Sequence, residues 1–150
     1  MEMGRQMLRK RSMRGLLAMA LVAVVIGPLP RVIGNETVLN QVLTNLIGNA
    51  LKFVPEDTRP KIEIWSETID QRARIFVEDN GIGIDPIHHE RIFGLFQKLH
   101  KPEEYPGTGI GLAIVRKAID RMGGTVGLQS TPGQGSCFFI DLRLASLKDV

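Results

Sequence analysis

Asn45, Asn49 and Lys52 stand four and three residues apart in an otherwise apolar stretch, so on a helix all three project from one face. A carboxamide oxygen suits a hard cation such as Mg2+, and an ammonium group neutralises phosphate. Taken alone, the stripe also suits the solvated edge of an amphipathic helix. A second group, "DNGIGI" from Asp79 to Ile84, follows the β-branched run "RIFVE". A carboxylate at a strand end is fixed by the sheet and can accept a hydrogen bond from an exocyclic amine. Gly81 and Gly83 lack the Cβ atoms that would keep a flat ring off the backbone. The combination suits a purine that offers an amino group, although an ordinary Asn-Gly turn has the same spelling.

"GTGIGLAIV", Gly107 to Val115, alternates Gly107, Gly109 and Gly111 with Thr108 and Ile110 where a helix begins. Such a backbone exposes N–H groups, and the helix dipole adds positive potential for phosphate oxygens. No Gly-Lys-Ser/Thr occurs anywhere, which excludes the P-loop pattern, and the glycine spacing is one residue short of a dinucleotide fingerprint. "TPGQGSCFF" reads as a hairpin turn at Gly133 and Gly135, and Ser136 beyond it is placed to face the purine site beside Asp79. Each motif is modest singly; together they describe one nucleotide pocket.

The elements that must position these residues follow from periodicity. Asn35 is a candidate cap for a helix in which Val38, Leu39, Val42, Leu43, Leu46, Ile47 and Ala50 recur at helical spacing, ending before Pro55. "KIEIWSETI" and "RARIFVEDN" alternate on either side of Asp70-Gln71, predicting a hairpin. "DPIHHERIFGLF" predicts a short helix capped by Asp85 with Pro86 in its first turn. The polar "QKLHKPEEYPGTG" is a loop, predicted to be poorly ordered without a ligand and to gain amide protection with one. "IGLAIVRKAIDRMGG" is an amphipathic helix, and a second hairpin turning at Pro132-Gly133 closes the chain. The expected fold is an α/β (α+β) two-layer sandwich, a mixed and mainly antiparallel sheet covered on one face by three helices.

The chain has 150 residues, 43% of them apolar, enough for one domain with a real core. A net charge of +3 with one Trp and one Tyr argues against nucleic acid and for a small anionic ligand. The single cysteine, Cys137, excludes an internal disulfide and fits a reducing, cytoplasmic setting. Basic residues before the apolar run Leu16 to Ile26 imitate a secretory leader, but the run is too short to span a bilayer and Gly-Pro-Leu-Pro replaces a cleavage site. "LVAVVI" is therefore read as a buried strand. Residues 1–20 are expected to be a remnant helix or a chain end, 21–145 the folded domain and 146–150 a tail.

"NLIGNALKF", "DNGIGI", "RIFGLF", "GTGIGLAIV" and "GQGSCFF" resemble, in order, the asparagine, first glycine, phenylalanine, second glycine and third glycine boxes of the catalytic, ATP-binding domain of sensor histidine kinases. The likeness covers about Leu29 to Leu144, and its wording is most similar to phytochrome-type and PAS-linked kinases. It implies the Bergerat fold that these kinases share with gyrase, with ATP and Mg2+ as ligands. By position, Asn49 would hold Mg2+ and Lys52 would reach the phosphates, with Phe53 beside the adenine. Asp79 would accept from the adenine amino group, with Gly81, Gly83 and Ile84 in the same site. Gly107, Thr108, Gly109, Ile110, Gly111 and Leu112 would wrap the phosphates. Tyr105 belongs to the lid, Lys98 stands where many members carry a transfer-assisting arginine, and Ser136 stands where threonine is frequent.

Asn45 replaces the glutamate that activates water in the ATP-hydrolysing relatives, and an amide cannot take up that proton. Transfer to a positioned nucleophile is favoured over hydrolysis. His88, His89 and His100 all lie within the catalytic stretch, so none is expected to be the phosphoacceptor. The implied partners are a histidine-bearing dimerisation domain and a response regulator receiver domain, with this domain monomeric by itself and part of a longer protein or acting in trans. A nucleotide-sensing module without transfer, and a serine kinase of the anti-sigma type, are the alternatives.

Overall fold

A computed structural model describes residues 23–99, 105 and 107–146. The proposed N-terminal remnant, Leu21 and Val22 of the first strand, residues 100–104 and 106 of the loop, and residues 147–150 of the tail lie outside the described residues.

Strand β1 (Ala23–Ile26) forms as expected but is not buried: it is an edge strand, and Val24, Val25 and Ile26 are exposed. It leads through the Pro-containing turn to helix α1 (Glu36–Lys52). Asn35 caps α1 by accepting from the Val38 N–H at 3.0 Å, which satisfies one of the free donors of the first turn. Strands β2 (Lys61–Ile69) and β3 (Arg72–Asp79) form the expected hairpin, with Asp70 in the left-handed conformation at φ 55°. Helix α2 (Gly111–Arg121) then precedes strands β4 (Thr125–Ser130) and β5 (Ser136–Arg143). Among the described residues the five strands lie in the order β1-β2-β3-β5-β4, and only the β1–β2 pair is parallel. The sheet is thus mixed and mainly antiparallel.

The alternation of β2, β3 and β5 decides which face is covered. Ile62, Ile64, Ile75, Val77, Ile140 and Leu142 point to the helices and pack with Val42, Leu46, Val115 and Ile119. Burying each such side chain contributes about 1.5–3 kcal/mol. The other face carries a cross-strand aromatic row: Trp65 stacks on Phe76 at 4.9 Å, and Arg74 lies 4.5 Å from the Phe139 ring while pairing with Asp141.

The short third helix predicted over residues 85–96 is realised as two single-turn 3-10 segments, Pro86–His88 and Arg91–Phe93. Asp85 does cap the first, accepting from the Ile87 N–H at 2.9 Å. So short a segment does not repay the nucleation of an α-helix, and the tight turns bury the adjacent Ile92 and Phe93 together. Among the described residues no helix is long and apolar enough to cross a membrane.

Candidate nucleotide-binding site

The two glycine motifs and the polar stripe of α1 meet at one cleft of about 410 Å3 between α1, α2 and the ends of β3 and β5. That volume lies in the usual range for small-ligand sites. Local hydrogen bonds explain how the elements are locked together. The Ile82 N–H donates to the carbonyl of Phe53, the residue that ends α1, at 2.8 Å. On the opposite side the Gly133 N–H donates to the Ile82 carbonyl at 2.7 Å. The segment after Asp79 is therefore held between the end of α1 and the β4–β5 turn.

Asp79 stands at the floor of the cleft. Its Oδ1 accepts from the Gly81 N–H at 2.8 Å and the Ser136 N–H at 3.2 Å, and no hydrogen bond to Oδ2 occurs among the described residues. Burial raises the carboxyl pKa, partly offset by those two N–H groups. A folded pKa above the unfolded one means that the folded state binds the proton more tightly. The stability from this group is accordingly greatest at low pH and is lost as pH rises through the folded value. Acceptance of a ligand N–H runs the other way, because it needs the ionised form. Affinity for an amino-purine nucleotide is therefore expected to rise as pH increases through and above the ordinary aspartate range, the rise falling at higher pH than for an ordinary aspartate. Calorimetric titrations across that range, with Asp79→Asn as the flat reference, check it.

Two lysines, Lys52 and Lys98, also line the cleft, and the Lys52 pKa is lowered by burial and then by the charge of Lys98. Lys52 Nζ lies 4.4 Å from the centre of the Phe53 ring, and Tyr105 packs on that ring at 5.3 Å. Two ammonium groups forced together in a partly buried site favour an anion between them. A Cβ on Gly107 would overlap Lys52 Nζ, and Gly107, Thr108, Gly109, Gly111 and Leu112 line the cleft where α2 begins. Asn49 lines it too, presenting a carboxamide of the kind a hard cation accepts. Asn45 anchors its amide by donating to the Gln41 carbonyl at 2.9 Å, so its Oδ1 lies toward Gly111.

The cleft thus gathers Asn45, Asn49, Lys52, Phe53, Asp79, Gly83, Ile84, Lys98, Tyr105, Ser136 and the glycine loop. Gly81 and Ile110 are not on its wall. Gly81 is buried against the end of α1, where a Cβ would overlap the Phe53 carbonyl, so its missing side chain serves packing rather than a ligand. Ile110 is the cap residue immediately before α2. Among the described residues, Ile82, Ile92, Gln97, Leu99 and Phe138 also line the cleft without having been singled out in the sequence. Their only sequence signal is nearness to the motifs, since which apolar side chains wall a cleft depends on the tertiary fold.

Comparison with known proteins agrees with this geometry. Residues 34–146 match the family described as histidine kinase-, DNA gyrase B-, and HSP90-like ATPase. The chain is 44% identical over 123 residues to the phytochrome-like protein Cph1 of a Synechocystis species, a match covering 82% of this chain and 16% of that protein. It is 41% identical over 116 residues to the sensor histidine kinase AruS of Pseudomonas aeruginosa, covering 75% of this chain and 12% of the relative. The chain therefore spans only a small part of the curated relatives it matches. Among solved structures, the mycobacterial sensor histidine kinase MprB superposes with a TM-score of 0.75 at 25% identity, covering 96% of this chain and 93% of that one. The catalytic domain of histidine kinase ThkA gives 0.70 at 28% identity, covering 92% and 86%. The chain belongs to the histidine kinase-, DNA gyrase B-, and HSP90-like ATPase family, and within it to the catalytic domains of sensor histidine kinases.

Proposed function

We propose that this domain binds ATP with Mg2+ and passes the γ-phosphate to a histidine on a separate dimerisation domain of a two-component kinase, for relay to a response regulator. The observation that carries the reading is one cleft lined by a half-buried carboxylate, two lysines and a glycine-rich helix start. Asp79 and Ser136 take the adenine, with Gly83, Ile84 and Phe53 against it. Lys52 and residues 107–112 hold the phosphates, Tyr105 belongs to the covering lid, and Lys98 steadies the phosphoryl group in flight. Gly81 and Ile110 shape the site from behind.

No cluster of three or more His, Cys, Asp or Glu side chains able to hold a metal occurs among the described residues. A hard cation here would take the Asn49 oxygen, with its remaining positions open to phosphate and water. When bound, Mg2+ supplies neutralisation of phosphate charge. The amide at Asn45 supports transfer over hydrolysis, because it cannot deprotonate water. The chain's role is then positioning and charge compensation. The phytochrome-type subfamily, a cytoplasmic setting and a monomeric isolated domain, spanning residues 21–145, complete the proposal.

Incubating the domain with labelled ATP, Mg2+ and the dimerisation domain of the same kinase tests it. Label should appear on the dimerisation domain and not on this chain alone. ATP binding without transfer to that domain would overturn the kinase reading.

A further inference from the structure

Ser130, the last residue of β4, does not line the cleft, yet three groups converge on its hydroxyl. The Ile84 N–H donates to Ser130 Oγ at 2.8 Å, Ser130 Oγ donates to the Gly135 carbonyl at 2.8 Å, and Ser136 Oγ lies 2.9 Å away. A serine hydroxyl has one hydrogen and two lone pairs. With that hydrogen on the Gly135 carbonyl, both remaining contacts must donate to Ser130. The Ser136 hydroxyl therefore points its hydrogen at Ser130 and turns only lone pairs elsewhere. Ser136 is 7% exposed and lines the cleft, and its own N–H is bound to Asp79.

We infer that Ser130 is a positioning residue for base selectivity: it fixes the Ser136 hydroxyl as an acceptor, so that Ser136 and Asp79 together offer the base only acceptors. At the 6-position such a floor selects a substituent that supplies hydrogens, as the amino group of a 6-amino purine does, and disfavours a 6-oxo oxygen, which would meet lone pairs. Without the Ser130 hydroxyl, the Ser136 hydrogen is free to turn into the cleft and satisfy that oxygen. The inference rests on the nucleotide reading above and adds to it a residue outside the cleft that sets which base is accepted.

The test uses ATP and inosine triphosphate, which carry the same triphosphate and differ at the 6-substituent and in the N1 hydrogen that accompanies the 6-oxo group. Calorimetric affinities are measured for the parent domain, Ser130→Ala, Ser136→Ala and the double variant. The parent should prefer ATP, and Ser130→Ala should cut the ATP-to-inosine-triphosphate ratio by ~5-fold, the size of one hydrogen bond's discrimination. In the Ser136→Ala background, adding Ser130→Ala should change the ratio no further, because Ser130 acts through that hydroxyl. Ser130→Cys, of similar bulk and with a weak donor, carries the same expectation if the alanine variant does not fold. A ratio equal to the parent's, with both affinities lowered alike, would show a purely structural serine and overturn the proposal. A further drop in the double variant would overturn it as well. No ATP binding by the parent would remove the nucleotide reading and the proposal together, whereas ATP binding with an unchanged ratio removes the proposal alone.

Discussion

Asp79→Asn is expected to weaken ATP binding by about 1–3 kcal/mol, a loss of roughly 5- to 150-fold, while leaving the fold intact. An asparagine carbonyl can occupy the Oδ1 position and keep the bonds from the Gly81 and Ser136 N–H groups. The change falls on Oδ2, where an NH2 group would replace an acceptor and meet the amine of the base donor to donor. The apo domain should be no less stable than the parent, because burial disfavours the charge that the substitution removes. Calorimetry for affinity and urea denaturation for stability separate the two effects. Equal ATP affinity in mutant and parent would remove Asp79 from the adenine site.

Gly83→Val is expected to destabilise the domain by about 3 kcal/mol and to abolish nucleotide binding in whatever folds. Gly83 has φ 71°, and a Cβ there would overlap the Thr131 carbonyl oxygen across the contact between the DNGIGI segment and the β4–β5 turn. Neither backbone is free to retreat, since the Gly133 N–H to Ile82 carbonyl bond and the Ile84 N–H to Ser130 bond fix both sides. Gly133→Ala is the control. Gly133 has φ 79° but no atom within 4 Å of its would-be Cβ, so only the conformational cost of about 1 kcal/mol remains. Equal losses of stability for the two variants would show that the contact between the segments does not constrain Gly83.

The polar stripe of α1 was legible because helical periodicity is local: once Val42, Leu46 and Ala50 face the core, Asn45, Asn49 and Lys52 must share another side. Both hairpins and the α2 start were legible from alternation, turn residues and glycine placement. Long-range pairing was less accessible. Parallel pairing of β1 with β2 joins segments separated by the whole of α1, and no local pattern announces it. Gly81 shows the same limit, since an Asn-Gly-Ile-Gly sequence does not say which glycine a ligand approaches and which a carbonyl approaches. Ser130 carried no signal, because a serine ending a strand is ordinary until Ile84, Gly135 and Ser136 are brought to it. The 3-10 turns at residues 86–93 differ from the expected helix because burial of Ile92 and Phe93 outweighed local propensity.

A crystal structure of the domain with a non-hydrolysable ATP analogue and Mg2+ decides whether this cleft is the nucleotide site. One nucleotide is expected in the cleft, its amino group within hydrogen-bond distance of Asp79 Oδ2 and its phosphates at Lys52 and the Gly107–Leu112 segment. A nucleotide bound with its base away from Asp79, or seated outside this cleft, would contradict that assignment.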